Sequence, residues 1–508
     1  MVNIIIVIII RLNCRLIALR GFVLANSTVF EYLIKFLSLS DFFAGAFFGI
    51  RHLQCFLLFL GLSISYALRV NLSVAIVAMT DKYAANPEFD EYNWSEKTKS
   101  LLLSSFFWGY IITQIPAGTM ARKFGGKVMF LCGVLICSLM AILTPICAHI
   151  GDWQLVCALR VLQGLCQGVV FPSTHTILSK WSPVEERGSL ATYCYSGSQF
   201  GTVVMLASSG VLASSVMGWP SIFYISGGCG VLWAVIFFFW GASSPMECKS
   251  LSAEEKKLIE TSLGPDENED PSRKPLKTPW LKFLTSPPFL TLILVHSAHN
   301  WGFWTLLTEI PTYMKNVLGM DIKSNALLSA LPYFAMLLMS FVFSAVAGQM
   351  SKRQCIELSR SRKLFNTIGH WIPMVSLVAL GYVDSGNTNL AIALLTITVG
   401  INASTYLGFQ VNHIDLSPNF AGILMGITNC AANIMSIIAP LIVGFIVTDE
   451  KNADQWRIIF FIAGGFYFVG NLMFILFGQA TIQPWNDGQP KETMNGSKRG
   501  SVFVESQH

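Results

Sequence analysis

Long apolar runs alternate with short polar breaks along most of this chain. Runs with few or no charged residues fall near 52–79, 100–121, 128–149, 154–178, 189–214, 220–242, 287–310, 325–347, 365–384, 388–410, 419–447 and 457–478. Each reaches or exceeds the roughly 20 residues that an apolar helix needs to cross a bilayer core. The pattern predicts twelve membrane-spanning helices. They divide six and six around 243–286, the longest polar segment between spans. The expected organisation is an extension over 1–50, a six-helix bundle over 51–242, a linker over 243–286, a second six-helix bundle over 287–478 and a tail over 479–508. Within the linker, LSAEEKKLIETSL places Ser252 and Glu255 as a capping box opening a short amphipathic helix. The first fifty residues, with VNIIIVIIIRLNCRLIALRGFVLAN, fit a cleaved signal peptide poorly. A further span, an interfacial anchor and a simple extension are all open there.

The short loops orient the spans. Arg122, Lys123 and Lys127 follow span 2, and Lys352, Arg353, Arg360, Arg362 and Lys363 follow span 8. Lys/Arg excess marks the cytoplasmic side, so both loops, both termini and the linker are expected there. The opposite loop, 81–98, is acidic and carries the sequon Asn93-Trp94-Ser95, an expected glycosylation site. Asn495-Gly-Ser497 falls on the cytoplasmic side, and Asn71-Leu-Ser73 and Asn402-Ala-Ser404 fall within spans. Span 2 ends GTMARKFGGK and span 8 ends GQMSKR, a weak echo between the halves of the kind left by parallel six-span repeats.

Composition agrees with this pattern. The 508 residues are 53% hydrophobic and 12% charged, with mean hydropathy +0.56, against about 25% charged in soluble domains. A formal net charge of +5 is small for the length and gives no reason to invoke nucleic acid. Most of the twelve cysteines lie in apolar runs, without CxxC or Cys/His metal spacing, and are expected to pack as small apolar groups. No nucleophile–base pair or phosphate-cradling loop stands out, so an enzyme is not expected.

The informative residues are polar ones inside spans. Arg69 sits in SYALRVNLSVAIVAMT, with no other charged residue between His52 and Asp81. An arginine at a helix centre costs about 3 kcal/mol on insertion scales, so something must compensate. Span 4 reads WQLVCALRVLQGLCQGVVFPSTHTILSKW and carries Arg160, Gln163, Gln167 and His175. Arg160, Gln163 and Gln167 share one helix face. Two intramembrane arginines without an evident first-half carboxylate suit an anion, through guanidinium forks that match carboxylate or phosphate. Span 7 adds His296, His299 and Asn300; span 10 adds Tyr406, Gln410, Asn412, His413 and Asp415. Small-residue pairs in GSQFG (197–201) and GILMG (422–426) predict close helix packing, across the two halves in one reading.

Several stretches carry a resemblance. ALRVNLSVAIVAMT (67–80), FFWGYIITQIPAG (106–118), RVLQGLCQGVVFPSTH (160–175), KWSPVEERGSLAT (180–192), TPWLKFLTSPP (278–288), GFQVNHIDLSPNFAGILMGI (408–427) and QPWND (483–487) are among them. Over about 51–487 the chain resembles the anion:cation symporter branch of the major facilitator superfamily. That branch holds type I sodium–phosphate cotransporters, sialin and the vesicular glutamate transporters. The resemblance implies an all-α membrane fold of two six-helix bundles around a central cavity, worked by rocking alternating access. It implies an anionic substrate held by Arg69 and Arg160, with Tyr110 lining the cavity. Proton-coupled members carry glutamate where this chain has Gln167, and a carboxamide cannot exchange a proton near neutral pH. The vesicular glutamate transporters carry histidine and arginine where this chain has Leu103 and His299. The phrase LCQG is similar to invertebrate proteins named inorganic phosphate cotransporters.

The expectation is a monomeric, sodium-coupled secondary transporter of phosphate or an organic carboxylate, with no cofactor beyond the coupling ion. Its candidate substrate contacts are Arg69, Arg160, Tyr110, Gln167, His299 and Tyr406. A plasma-membrane location is expected because the tails hold no acidic dileucine signal. The alternative is a proton- or potential-driven organic anion transporter of lysosomes or vesicles.

Overall fold

A computed structural model describes residues 49–80, 86–89, 91–248, 251–263, 277–319, 322–384, 386–449 and 451–486. The readings of 1–48, of the charged linker centre 264–276, and of Asn495 and the tail from 487 lie outside the described residues. Those described are helical, with no strand among them. In chain order the helices are α1 (Ile50–Thr80), α2 (Glu96–Phe124), α3 (Gly126–Gln167), α4 (Val170–Trp181), α5 (Arg187–Ala213), α6 (Pro220–Trp240), α7 (Ala253–Leu263), α8 (Trp280–Leu284), α9 (Pro287–Asn316), α10 (Ile322–Lys352), α11 (Leu358–Leu380), α12 (Thr388–Asn402), α13 (Phe409–Leu416), α14 (Ala421–Ile446) and α15 (Ala453–Phe477).

Two helices need reading with care. α3 holds span 3 and the start of span 4, because its backbone leaves helical geometry at Gly151 and Asp152. Asp152 has φ 48°, unusual for a non-glycine residue, and its carboxylate accepts a hydrogen bond from the Trp94 indole at 2.6 Å. Span 10 is α12, a 3₁₀ turn over Ala403–Tyr406, and α13. Among the described residues, eight helical stretches are long and apolar enough to cross a membrane, one of them the 56-residue Gly126–Trp181 that contains two spans. The remaining spans are α5, α9 and α11. Their apolarity is diluted by buried polar residues: Ser198, Gln199 and Thr202 on α5, His296 and His299 on α9, and Arg362, Asn366 and His370 on α11. These groups face protein, so their cost is met by partners instead of lipid.

The halves repeat one packing pattern. α1 packs on α5 and α6; its counterpart α9 packs on α14 and α15. The halves meet through α2 against α14, α4 against α14, and α5 against α10. The small-residue pairs divide between two roles. Gly197 and Gly201 lie against the backbone of Phe59 and Ser63, within the first half. Gly422 and Gly426 lie against Pro172, Thr176 and Gln114, across the seam. A side chain at Gly422 would meet the Pro172 carbonyl and the Thr176 hydroxyl, so glycine sets the interhelix distance there.

One end of the molecule gathers the basic loops. Glu255 of α7 accepts from the Ile50 and Arg51 backbone N–H groups at 2.8 and 3.0 Å and from Arg51 Nη1 at 3.0 Å. Arg51 also donates to both oxygens of Glu186, at 2.8 and 3.2 Å. The expected capping box is therefore half made. Ser252 accepts from the Glu255 N–H at 3.2 Å, but the Glu255 carboxylate caps α1 instead of its own helix. Ser351 Oγ donates to the Glu185 carbonyl at 2.6 Å, joining the halves at this basic end.

Deeper on the same side sits a buried ionic triad. Asp415 accepts from Arg187 Nη1 at 3.0 Å through Oδ1 and from Arg362 Nε at 2.7 Å through Oδ2. Arg187 belongs to the first half, Asp415 and Arg362 to the second, and all three are at most 4% exposed. Arg362 is thus no loop-surface charge, as its place in the basic run after span 8 implied; α11 begins at Leu358 and carries it inward. Arg122 lies over the Phe420 ring at 4.8 Å and donates to Thr278. The Asp415 triad is an ionic contact that ties the two halves together. Removing its only carboxylate strands two buried guanidiniums, so Asp415→Asn is expected to destabilise the fold by about 3–5 kcal/mol. Thermal unfolding in detergent checks this; a melting temperature equal to wild type contradicts it.

Candidate functional site

A cavity of about 70 Å³ lies between the halves. The first half contributes Tyr66, Arg69, Tyr110, Phe171, Tyr195 and Gln199 among its walls; the second contributes His296, His299, Asn300, Trp304, Tyr406 and Asn433. Among the described residues, Arg69 is the one arginine or lysine in that wall, and no carboxylate lines it.

Arg69 is held on several sides. Its guanidinium carbon lies 4.6 Å from the Tyr66 ring centroid, 4.6 Å from Tyr110 and 5.0 Å from Phe106. Each such contact is worth about 0.5–2 kcal/mol, more as water is excluded. Nε and Nη2 donate to Gln167 Oε1 at 3.4 and 3.3 Å. Gln167 is fixed in turn, its Nε2 donating to the Ser65 carbonyl at 2.8 Å and to Cys137 Sγ at 3.3 Å. Rings and a neutral amide oxygen stabilise the cation without neutralising it. That answers how α1 tolerates a central arginine while leaving its charge for a ligand.

Arg160 takes a different place. It does not line the cavity. Nη1 donates to Gln163 Oε1 at 3.1 Å and to the Leu68 carbonyl at 3.4 Å; Nη2 donates to the Arg69 carbonyl at 3.1 Å. The Phe106 ring lies 5.0 Å from both guanidinium carbons. Arg160 thus grips the α1 backbone at the residue that carries the cavity cation. Glycine makes this approach possible: Gly164 lies against the backbone of Phe106 and Tyr110, and Gly168 against Thr113 and the Tyr110 carbonyl. A Cβ at either position would collide with α2.

Of the six sequence candidates, Arg69, Tyr110, His299 and Tyr406 meet in the cavity wall, while Arg160 and Gln167 lie outside it, in contact with Arg69. His299 is buried with Nδ1 lacking a partner among the described residues. Tyr406 Oη accepts from Gln199 Nε2 at 3.2 Å, across the seam. Asn429 was not singled out in the sequence. It donates to Tyr110 Oη and Gln114 Oε1, both at 3.0 Å, and so joins α14 to α2 at the cavity. Nothing in its local sequence, GITNCAAN, marks it apart from other polar residues in spans. Asn93 is exposed on the far loop, beside Trp94.

The description Major Facilitator Superfamily belongs to the family model that matches residues 58–440. The chain belongs to the major facilitator superfamily, in its anion:cation symporter branch. A Drosophila melanogaster protein named "Putative inorganic phosphate cotransporter" is 40% identical over 470 residues, 88% of each chain. Human sialin is 36% identical, covering 86% of this chain and 90% of sialin. Bovine vesicular glutamate transporter 2 is 34% identical, covering 85% and 74%. Two solved structures share the fold: a proton:xylose symporter (TM-score 0.64, 15% identity, 84% and 98% coverage) and the E. coli fucose:proton symporter (TM-score 0.59, 12% identity, 83% and 98% coverage). This superfamily member is therefore a multi-pass membrane transporter, not an enzyme.

The contact between Gln167 and Arg69 makes a sharp test. Gln167→Glu would set a carboxylate on Nε and Nη2 of Arg69 and compete with a bound anion. Anion affinity is expected to fall about tenfold or more at neutral pH, the scale of one charge-assisted hydrogen bond. It should recover on acidification, because protonation removes the competing charge. A pH series of binding isotherms checks this; an affinity loss that does not change with pH contradicts it.

Proposed function

We propose that this chain is a sodium-coupled secondary transporter of a small anion, inorganic phosphate or an organic carboxylate, working by alternating exposure of the central cavity. The observation that carries the reading is Arg69, a cation in the cavity wall whose partners are rings and a neutral amide. The relatives named for phosphate, sialin and glutamate transport support the anion class. Arg69 binds the anion; Tyr110, Tyr406 and His299 complete the site with neutral polar groups. Sodium coupling rests on Gln167, which has no proton to exchange near neutral pH. With no carboxylate in the wall, neutral oxygens are left to hold the sodium ion. The site is complete within one chain, which supports a monomer as the transport unit.

A proton- or potential-driven organic anion transporter is the second reading, favoured by the imidazoles of His296 and His299 at the cavity. Uptake of labelled phosphate, glutamate and sialic acid into proteoliposomes separates the two. The first reading expects uptake of one anion that requires a sodium gradient and falls to background in Arg69→Ala. Uptake that ignores sodium but follows a proton gradient or membrane potential selects the second. We place the protein in the plasma membrane with the 81–98 loop outside. Asn93→Gln is then expected to remove one glycan, read as a gain in gel mobility equal to that produced by glycosidase treatment. Unchanged mobility in the variant contradicts glycosylation at Asn93.

A further inference from the structure

His175 stands on α4, fully buried, where the two halves meet. Its Nδ1 lies 3.1 Å from the Phe171 carbonyl oxygen, one turn back on the same helix. Its Nε2 lies 3.1 Å from the Gln410 carbonyl oxygen of the second half. A carbonyl only accepts, so each of these contacts calls for an N–H on the ring, and a neutral imidazole has one. Tyr195 Oη lies 3.0 Å from Nε2 and can donate to it when it is bare. That neutral form still sets the Nε2 lone pair against the Gln410 oxygen. The other tautomer sets the Nδ1 lone pair against the Phe171 oxygen. Only the imidazolium donates to both carbonyls.

Two further imidazoles stand close by. The Gln410 carbonyl also lies 2.9 Å from His413 Nδ1, and His413 Nε2 lies 2.7 Å from the Thr428 hydroxyl, which is also within reach of the Met425 carbonyl at 3.3 Å. His296 Nδ1 lies 3.1 Å from the same Thr428 oxygen. The His413 ring lies 5.4 Å from that of His175, and the His296 ring 6.1 Å from that of His413. The titratable and charged groups around His175 are therefore Tyr195 from α5, His413 and Asp415 from α13, and His296 from α9. The Arg187 and Arg362 charges are engaged by Asp415. α14 presents the neutral Thr428 to His413, and Tyr66 of α1 and Tyr110 of α2 line the cavity beside Phe171, one turn from His175.

We propose that His175 is a proton-binding site at the seam, occupied when the halves are closed on the basic side. The Gln410 carbonyl belongs to the opposite half, so separating the halves there removes one of the two acceptors that favour the imidazolium. The closed state therefore binds the proton more tightly than the open one, and by linkage protonation favours closure. Acid populates the closed basic side; alkali releases it. The inference rests on the reading that the halves part on that side, but not on which anion is carried or which gradient drives it.

The test uses the full chain in lipid nanodiscs, on a cysteine-depleted background, with spin labels at Lys123→Cys and Arg360→Cys, two exposed positions at the basic end. Electron–electron resonance gives the distance distribution between about pH 8 and about pH 4, a window that reaches below the ordinary histidine range because the ring is fully buried. The short-distance population is expected to grow on acidification in wild type and to be independent of pH in His175→Gln. Tyr195→Phe, which removes the hydroxyl that supports the neutral ring, is expected to move the transition to higher pH. A pH response in His175→Gln equal to wild type overturns the proposal. So does a wild-type distribution that shifts with added anion but not with pH, which leaves the reading of parting halves intact. A distribution that never changes overturns both. If His175→Gln does not fold, a Tyr195→Phe transition identical to wild type overturns the assignment on its own.

Discussion

The rest of this structure depends on keeping one guanidinium charged inside a bilayer. A carboxylate beside Arg69 would meet the desolvation cost but also occupy its charge. The chain uses three aromatic faces and one amide oxygen instead. Such partners cost little flexibility and leave a net positive field in the cavity. Each then needs a precise seat: Gln167 must reach α1, Phe106 must lie between two arginines, and α3 must approach α2 at backbone distance. Gly164 and Gly168 meet the last need. Arg160 fixes the α1 backbone at Leu68 and Arg69. The second intramembrane arginine is best understood as support for the first.

A second constraint comes from the seam between the halves. On the proposed alternating-access reading, the halves must close tightly and part again. Here the two halves touch through small residues, Gly422 and Gly426, through directional polar contacts, Arg187 with Asp415, Tyr110 with Asn429 and Gln199 with Tyr406, and through aromatic pairs, Phe107 with Trp304 and Tyr193 with Phe341. α7 binds Arg51 through Glu255 and meets the loop before α5 through Ser262, so the linker connecting the halves is anchored to the first of them.

Much of this was legible in the sequence, and the exceptions have physical causes. Span positions follow from apolar run length, and α1 and α15 match their predicted stretches within a few residues at each end. Arg69 was legible because a lone charge in a long apolar run has few explanations. The direction of Arg160 was not: heptad spacing places it on the face of Gln167, but a long side chain can turn either to the cavity or to a backbone carbonyl. The Asp415 triad was missed because Arg187 and Arg362 fall at span edges, where charge reads as loop orientation, and their partner is 228 and 53 residues away. The capping box at Ser252 and Glu255 was half right, since local sequence cannot reveal a competing helix terminus at Ile50.

The central claim is that Arg69 is the ligand for the anion and that Arg160 only positions it. Trp304 lines the same cavity and reports on it directly. The most direct measurement is equilibrium titration of the purified chain with phosphate, glutamate or sialic acid, following tryptophan fluorescence, with Trp304→Phe as the control for the signal. The account predicts a saturable change in wild type that disappears in Arg69→Met and persists with weakened affinity in Arg160→Met. Full-affinity binding in Arg69→Met would contradict it.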